Sequence, residues 1–376
     1  MTKPDKAPDA RAKLPDRLRN RIESEGPITF RDWMESALYD SQEGYYCRPG
    51  IERWGRAGDY RTSPERSPLF GATFARYFAD LHETLGRPER WTIAEIGAGG
   101  GDFAEGVLAA LSRQFPEVFC ATNYVIDETS ANSSAVAHAR LARFAERTEF
   151  RRLDQLSIAQ GVVFSNELLD SFPVHCVTMR EGKLCELFVG LNRAGEFAWI
   201  TGPPSDARLA EYFKFVGVHL AEGQTAEVNL GIEDWLRNVV GRLGEGYIVT
   251  VDYGAEADHL YNSAERGSGT LRGFQRHRFV DDVLARPGEQ DITATVDWTF
   301  VKKVGERLGL KTIELQAQDQ FLLRSGLLEE LERMVADAKD EAQKLQLRTS
   351  AREMILPDGL AASFQVLVQK RITGQS

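Results

Sequence analysis

A glycine-rich turn between an apolar strand and a helical pattern constrains the fold of this chain more than any other feature. Residues 91–111 read WTIAEIGAGGGDFAEGVLAAL, in which glycines occupy the alternate positions 97, 99 and 101. Alternating glycines let the backbone turn sharply and approach a ligand where a Cβ atom would collide. The helix that follows offers backbone N–H groups at its first turn. The segment therefore predicts a cofactor-binding turn at the edge of an α/β sheet.

Two classes of cofactor use such a turn, and their chemical demands differ. A dinucleotide site requires G-x-G-x-x-G, so that a pyrophosphate lies on the helix N-terminus. Read from Gly97, the third glycine is replaced by Asp102, and read from Gly99 the pattern ends at Ala104. S-adenosylmethionine carries a sulfonium and an ammonium group and no phosphate, so acids such as Glu95 and Asp102 favour it. The dinucleotide interpretation is weakened and stays open at this point.

Further acids follow the second and third predicted strands. The second strand ends in YVIDETS, and Asp127 and Glu128 are both placed to accept hydrogen bonds from ribose hydroxyls. Asp154 follows the third strand and could reach an adenine amino group, with a solvated loop acid as the equal alternative. Both cofactor classes contain a nucleoside, so these acids predict one without choosing between the classes.

Short apolar runs separated by helical patterns extend from residue 91, which is typical of parallel strands joined by crossover helices. The predicted strands are residues 91–97, 123–128, 149–153, 162–165, 247–252, 312–316 and 364–370. Upstream, the helical patterns comprise Leu14, Leu18 and Ile22, then residues 29–39, then a helix that starts at Ser63-Pro64-Glu65 and runs through Phe70, Phe74 and Phe78.

The order of these elements predicts an α/β protein with a wound seven-stranded sheet. Residues 1–90 are expected to form a helical N-terminal cap and a cofactor-covering segment. Residues 91–376 are expected to form the core, interrupted by insertions at about 174–230 and 255–300.

Polar residues directly follow the fourth predicted strand, in GVVFSNELLDSFP at residues 161–173. Asn166, Glu167 and Asp170 lie at the carboxyl edge of the sheet, where wound α/β proteins bind ligands. Polar groups crowded there are costly unless they have partners, and capping of a helix is the plainer alternative. Carboxylates at this edge can bind a guanidinium or amine and accept the proton it loses. His175 could serve as the base for a hydroxyl acceptor, although a structural histidine is the commoner case.

Composition excludes several classes of partner. The chain has 46 Lys and Arg against 56 Asp and Glu, and its net charge of -10 opposes bulk attraction to nucleic acid or acidic lipid. No apolar run is long enough to cross a bilayer, so no membrane insertion is expected. The four cysteines lack C-x-x-C spacing, so neither a metal site nor a disulfide framework is predicted. We therefore expect a cytoplasmic protein without a nucleic-acid partner, and a homodimer is compatible with this interpretation.

Several segments together resemble the MidA-like family of methyltransferases. The matching segments are GPITFRDWMESALYDSQEGYY, GDYRTSPERSPLFG, the glycine turn, SNELLDSFPV, VDYG, GTLRGFQRHR and DITATVDW, with FLLRSGL and LPDG nearer the C-terminus. They cover nearly the whole chain in order. Two departures matter, because GAGGG stands where the family tends to place a proline, and DETSA stands where a single acid before Ser-Pro is usual. The second departure leaves the choice between Asp127 and Glu128 open.

The resemblance implies a class I methyltransferase sheet, Rossmann-like and seven-stranded, with S-adenosyl-L-methionine as cofactor. Mitochondrial members of the family are arginine methyltransferases serving respiratory complex I assembly, which implies a protein substrate and, for a eukaryotic source, the mitochondrial matrix. The implied cofactor-binding residues are Glu95, Gly97, Gly99, Gly101, Asp127 or Glu128, and the covering residues Thr62, Ser63, Pro64 and Glu65, with Asp59 next to them on the substrate side. The residues implied to face the acceptor are Asn166, Glu167 and Asp170. Arg272 and His277 could dock the substrate or belong to a structural cluster.

Three functional hypotheses result. The first is transfer of methyl groups to an arginine of a partner protein, with Asn166, Glu167 and Asp170 in catalytic roles. The second keeps the enzyme and changes the acceptor to a small-molecule or peptide hydroxyl or carboxyl, with His175 or His277 as base. The third is a non-catalytic assembly factor that binds the cofactor. The acids near the glycine turn and after the fourth strand occur together, which favours the enzymatic hypotheses.

Overall fold

The computed structural model describes residues 12–48, 67–262, 264–275, 278–280, 282–356 and 362–372. The strands within these residues are β1 (Ile28–Thr29), β2 (Trp91–Ile96), β3 (Thr122–Asp127), β4 (Thr148–Phe150), β5 (Ile158–Asn166), β6 (His175–Arg180), β7 (Lys183–Leu191), β8 (Phe197–Gly202), β9 (Thr225–Val228), β10 (Leu243–Ala255), β11 (Arg272–Gln275), β12 (Arg278–Val280), β13 (Asp291–Thr293), β14 (Val296–Asp297), β15 (Leu310–Ala317) and β16 (Phe364–Arg371).

The helices within the same residues alternate with these strands along most of the chain. They are α1 (Leu14–Glu25), α2 (Phe30–Tyr39), α3 (Pro68–Thr84), α4 (Asp102–Gln114), α5 (Pro116–Ala121), α6 (Ala131–Arg140), α7 (Arg208–Val216), α8 (Gly231–Arg242), α9 (Ala257–Asn262), α10 (Trp298–Arg307), α11 (Gln318–Arg324), α12 (Leu327–Ala336) and α13 (Glu341–Ile355). Among them, none combines the length and the apolar character that a bilayer crossing needs.

Seven strands follow one another in one large sheet, in the order β15, β16, β10, β5, β2, β3, β4. The five strands from β10 to β4 are parallel to their neighbours, and β16 runs antiparallel to both β10 and β15. Each of these strands overlaps one of the seven apolar runs identified in the sequence, so the seven predicted strands are confirmed as the main strands of one α/β sheet, to which the structure adds the two-residue strand β14. The order places β2 and β5 next to each other at the centre, with their carboxyl ends at the same edge.

The described residues form two units, and the sheet belongs to the larger one, within residues 52–170, 232–255 and 298–376. Its core consists of aromatic and aliphatic side chains between the sheet and its helices. Phe103 of α4 stacks on Phe164 of β5 with ring centroids 4.1 Å apart, so the helix after the glycine turn is held directly on the central strand.

Helix α3 begins four residues later than the sequence suggested. The Ser67 side chain accepts a hydrogen bond from the Leu69 N–H at 3.2 Å, and Pro68 is the first helical residue. The predicted start at Ser63-Pro64-Glu65 lies outside the described residues, and the helix through Phe70, Phe74 and Phe78 starts at Pro68. Both positions offer a Ser-Pro pair, which fits the cap and first turn of a helix equally well, so the local pattern could not choose between them.

The smaller unit lies within residues 1–51, 171–231 and 256–297. It joins α1 and α2 to the strands of both predicted insertions, in one sheet built on β7, β6 and β9 and a second of β12, β11 and β13. Leu14, Leu18 and Ile22 are buried, as the amphipathic pattern predicted. Helix α3, which the sequence analysis grouped with the cap, belongs to the larger unit. A functional cap over residues 1–90 stays a prediction.

Helices α3 and α4 approach closely at two glycines, and this contact carries a stability prediction. A Cβ atom at Gly71 would lie 2.9 Å from the Cα atom of Gly106, which is backbone and cannot give way. We expect Gly71→Ala to lower the free energy of unfolding by about 1–3 kcal/mol, as overpacked cores do. Denaturant titration of the full chain measures this change.

Gly241 near the end of α8 provides the matched control. It is exposed, and an added Cβ atom there meets nothing within 4 Å. Gly241→Ala should raise the free energy of unfolding by about 0.5–1 kcal/mol through helix propensity alone. Equal stabilities for the two variants would contradict the close approach of α3 and α4.

Candidate functional site

The glycine turn has the backbone conformation that its sequence predicted. Gly97, Gly99 and Gly101 have φ angles of 75°, 55° and 79°, all in the left-handed region that L-residues other than glycine avoid. A Cβ atom at Gly97 would lie 3.0 Å from Leu168 Cδ1, and one at Gly101 would lie 3.0 Å from Ala137 Cβ. Side chains at these positions would crowd Leu168 and Ala137, so both the backbone conformation and the packing of the turn require glycine there.

Asp102 at the start of α4 forms an ion pair with Arg140 of α6. Arg140 therefore compensates the charge of the Asp102 carboxylate. The pairing guanidinium lies 38 residues further along the chain, and no local sequence pattern indicates it. An interaction of the Asp102 charge with a cationic ligand stays a prediction.

Glu95 lies near the end of β2 and is buried, with 4% of its surface exposed. The Tyr124 hydroxyl donates a 2.7 Å hydrogen bond to its Oε2 atom. Burial raises the pKa of Glu95 to about 8, and the Tyr124 hydrogen bond acts in the opposite direction. A nearby ligand cation would favour the charged form of Glu95, whereas a phosphate would oppose it. This acid thus fits a sulfonium- and ammonium-bearing cofactor better than a pyrophosphate.

The two acids at the end of β3 hold different parts of the structure. The Glu128 carboxylate accepts hydrogen bonds from the Gly99 N–H at 2.8 Å and the Ser130 N–H at 2.7 Å. The Asp127 carboxylate accepts a 2.7 Å bond from the Leu153 N–H. Burial raises the pKa of both acids, against the effect of these N–H groups. Glu128 therefore faces the glycine turn, and Asp127 faces the segment after β4.

The remaining predicted cofactor residues and two of the substrate-side residues are either exposed or outside the described residues. Asp154 is exposed in a short 3-10 turn, Leu153–Gln155, directly after the residue that bonds Asp127. The covering residues Thr62, Ser63, Pro64 and Glu65, and the substrate-side residues Asp59 and His277, lie outside the described residues.

The turn after β5 brings Asn166 and Glu167 to the carboxyl edge of the sheet. Glu167 has a φ angle of 51°, a conformation that costs a non-glycine residue about 1–3 kcal/mol and persists only where the surroundings enforce it. Its N–H donates to the Val251 carbonyl at 2.9 Å, and the Asn166 amide donates to its Oε1 atom at 3.0 Å. The backbone and the carboxylate of Glu167 are thus both held by neighbouring groups.

Asp170 is buried near a second buried acid, Asp252 of β10, that the sequence analysis did not single out. The Asp252 Oδ2 atom accepts hydrogen bonds from the N–H groups of Leu169 at 2.9 Å and Asp170 at 3.3 Å. Burial raises the pKa of Asp252 well above its usual range, and the charges of Asp170 and Glu167 raise it further. The signal in the sequence was an acid at the end of the apolar run YIVTVD, in a strand buried on both sides.

The glycine turn and the turn after β5, residues 166–170, meet at one edge of the sheet, and we call the second one the acidic turn. Ile96 of β2 pairs with Ser165 of β5 in parallel register, so both strands end at the same level. The Cδ1 atom of Leu168 in the acidic turn lies next to Gly97 of the glycine turn. The structure thus brings together Glu95, the glycines, Glu128, Asn166, Glu167 and Asp170, which were chosen from separate segments of the sequence.

Two residues considered for the acceptor side belong to the smaller unit. Arg272 is half-buried on β11. The His175 Nδ1 atom lies 2.8 Å from Glu186 Oε1, and Glu186 also accepts a hydrogen bond from the Ser205 N–H. Burial acts to raise the pKa of Glu186, but its bonds with His175 and Ser205 outweigh burial and lower it. His175 is therefore the structural histidine of a buried pair.

The sheet order with its antiparallel β16, the left-handed glycine turn after β2 and the acidic turn after β5 define a class I methyltransferase that uses S-adenosylmethionine. Residues 73–316 match the family described as "Putative S-adenosyl-L-methionine-dependent methyltransferase". The chain belongs to this family, and S-adenosylmethionine is its cofactor.

Named relatives and solved structures agree with this assignment. The chain is 26% identical to the protein arginine methyltransferase NDUFAF7 homolog, mitochondrial, of Drosophila melanogaster, over 96% of this chain and 86% of the relative. It is 24% identical to the mitochondrial protein arginine methyltransferase NDUFAF7 of Mus musculus, over 96% and 85% of the two chains. A Burkholderia thailandensis protein bound to S-adenosyl-homocysteine has 30% identity and a TM-score of 0.83, over 95% of this chain and 92% of that one.

Proposed function

We propose that this methyltransferase transfers methyl groups to an arginine side chain of a partner protein. The observation that carries the proposal is the pair of acids Glu167 and Asp170 in the turn after β5, which flank Leu168 where it lies against Gly97 of the glycine turn. Carboxylates bind a guanidinium through charge-assisted and often bidentate hydrogen bonds. The names of the relatives as protein arginine methyltransferases support the same acceptor.

The residues of the larger unit divide between cofactor and acceptor. S-adenosylmethionine supplies an electrophilic methyl group on sulfur. The backbone of the glycine turn and Glu95 would hold its methionine part, and Glu128 would accept hydrogen bonds from the ribose hydroxyls because it faces the turn. Asp127 is the weaker candidate, since its carboxylate faces the segment after β4 and not the glycine turn. Contacts of Asp59, residues 62–65 and Asp154 with the ligands stay predictions.

We assign the orientation of the acceptor to Glu167. Methyl transfer from sulfur is an in-line displacement, so the acceptor nitrogen must point its lone pair at the methyl carbon. The Asn166 amide fixes one oxygen of the Glu167 carboxylate, which leaves the direction of that carboxylate defined. The bond from the guanidinium nitrogen to the methyl carbon would form as the bond from that carbon to sulfur breaks, with S-adenosyl-homocysteine as the leaving group. The nitrogen would lose one proton, which the carboxylate of Glu167 would accept.

A hydroxyl or carboxyl acceptor receives no support from His175, because that ring is buried against Glu186. His277 lies outside the described residues. Replacing His175 by Gln should therefore leave methyl transfer within about twofold of the wild type, since a structural histidine contributes nothing to the reaction itself. A loss of turnover in this variant at unchanged thermal stability would revive the hydroxyl-acceptor hypothesis.

The acceptor is tested by incubating the purified full chain with a cell lysate and S-adenosylmethionine labelled in its methyl group. We expect the label in protein, and we expect acid hydrolysis of the labelled protein to release methylarginine. Heat-inactivated enzyme provides the background. Label that enters only small molecules, or another amino acid, would refute the proposed acceptor.

The same names bear on partner and location. The relatives are called mitochondrial, which supports the matrix as the site of action if the source is eukaryotic. The cytoplasmic location and the homodimer stay predictions, and Arg272 stays a candidate for docking the substrate protein.

A further inference from the structure

We propose that Asp252 is a positioning residue of the methyl-acceptor site, acting by holding the turn that carries Glu167 and Asp170 to strand β10. This inference rests on the proposed function, because it concerns the same reaction. It adds to that function a residue from a separate strand, whose side chain acts on the backbone of the turn.

Asp252 contacts the turn through two of its amides. Its Oδ2 atom accepts from the N–H groups of Leu169 and Asp170, and its Oδ1 atom accepts from the Tyr253 N–H at 2.9 Å. The carboxylate is 0% exposed, so these bonds do not compete with water. Each oxygen of the carboxylate thus bonds a different segment, one the turn and the other the strand itself.

The neighbouring residue of β10 holds the other end of the same turn. The Val251 carbonyl accepts a 2.9 Å hydrogen bond from the Glu167 N–H. Val251 and Asp252 together therefore fix the backbone on both sides of Leu168, whose side chain contacts the glycine turn at Gly97. The left-handed conformation of Glu167 lies inside this clamp, which is the kind of enforcement that such a conformation needs.

A buried acid at this position costs free energy of folding unless its hydrogen bonds offset that cost. Asp252 is buried near two further acids, and a buried charge close to like charges is unfavourable. A side chain that only filled space in β10 would be apolar, as are Ile248, Val249 and Val251 of the same strand. The need for a hydrogen-bond acceptor that reaches the amides of the acidic turn explains the carboxylate at position 252.

Two variants of Asp252 distinguish the effect of its hydrogen bonds to the acidic turn from the effect of its negative charge. In Asp252→Ala the two amides of the turn lose their acceptor, and we expect the rate of arginine methylation in the lysate assay to fall about 100-fold, the loss that a displacement of about 1 Å produces. In Asp252→Asn an amide oxygen still accepts from the turn, so the rate should recover to within about tenfold of the wild type. Binding of S-adenosyl-homocysteine, measured by calorimetry, should stay within about threefold in both variants, because the glycine turn keeps its own bonds.

Glu330 provides the matched control. Its carboxylate is also 0% exposed in the larger unit, but it bonds Gln114 and Arg333 away from the acidic turn. Glu330→Ala removes another fully buried acid of the larger unit and should leave the methylation rate per folded molecule unchanged. A purely structural role of Asp252 would make the two alanine variants alike.

Hydrogen exchange tests the inference even if no protein arginine is methylated. Exchange of the amides of Leu169 and Asp170 should accelerate about tenfold or more in Asp252→Ala and stay near wild type in Asp252→Asn and Glu330→Ala. Unchanged exchange in Asp252→Ala, or an unchanged methylation rate, would overturn the positioning role. Should the alanine variant fail to fold, a methylation rate of Asp252→Asn reduced as far as that of a Glu167 variant would overturn it as well, because the bonding oxygen is retained.

Discussion

Replacement of Glu167 by Gln is expected to reduce arginine methylation by about 10²–10⁴-fold, the range over which a positioned acid–base group contributes to a reaction. Gln keeps the size of the side chain and the acceptor oxygen for the Asn166 amide. It removes the negative charge that pairs with the guanidinium and the oxygen that takes up its proton. The measurement is the initial rate of methylarginine formation at saturating cofactor, alongside the affinity for S-adenosyl-homocysteine.

Glu181 serves as the control for this substitution. It also has a φ angle of 51°, but it lies exposed in the turn between β6 and β7. Glu181→Gln therefore imposes the same chemical change on a backbone of the same conformation, and the rate should not change. Wild-type turnover in Glu167→Gln would show that the carboxylate charge plays no part in the reaction and would remove the main support for an arginine acceptor.

The same variant addresses the hypothesis of a non-catalytic assembly factor. A protein that acts only through its contacts with a partner would keep its biological function when Glu167 becomes Gln, because the shape of the turn is retained. Loss of that function together with methyl transfer would assign the function to catalysis. Complementation of a deletion strain by the two Glu→Gln variants compares these outcomes directly.

The sheet was predictable from the sequence because its signals are local. Central strands of a parallel sheet are buried on both faces and so appear as continuous apolar runs, as in GVVF before Asn166 and YIVTVD before Tyr253. The glycine turn was predictable for a similar reason, since three alternate glycines serve few purposes other than positive φ angles and close backbone approach. Two Ser-Pro pairs before α3 gave equivalent local signals for a helix start. The predicted start of α3 therefore lay four residues before the observed one.

Pairing between distant segments was not predictable in the same way. Asp102 meets Arg140, and Asp252 meets Leu169 across 83 residues, because the sheet order brings these elements side by side. A single sequence contains the acids but does not show which distant residues they pair with. It therefore suggested a ligand role for Asp102 and none for Asp252. His175 illustrates the same point, because its pairing with Glu186 depends on the antiparallel register of β6 and β7.

Substitution of Gly97 by Val should strongly weaken cofactor binding while leaving the chain folded. The Gly97 φ angle of 75° is unfavourable for any L-residue and most unfavourable for a β-branched one. An added Cβ atom would also meet Leu168 Cδ1 at 3.0 Å, so the glycine turn and the acidic turn would have to move apart. We expect the affinity for S-adenosyl-homocysteine to fall about 100-fold or more, because the backbone that the ligand would approach is displaced by a distance of the order of 1 Å.

Gly182→Val is the control that distinguishes the effect of backbone strain from the loss of the binding surface. Its φ angle is 68°, but it lies in the exposed turn between β6 and β7, and a Cβ atom there would meet nothing within 4 Å. Gly182→Val should destabilise the chain by about 1–2 kcal/mol through its left-handed backbone and leave cofactor affinity intact. Calorimetric titration of both variants with S-adenosyl-homocysteine, and of the wild type with NAD as a dinucleotide control, measures the difference. Wild-type affinity in Gly97→Val would mean that the ligand does not approach the backbone at this turn, and the acids gathered around it would then need a purpose other than methyl transfer.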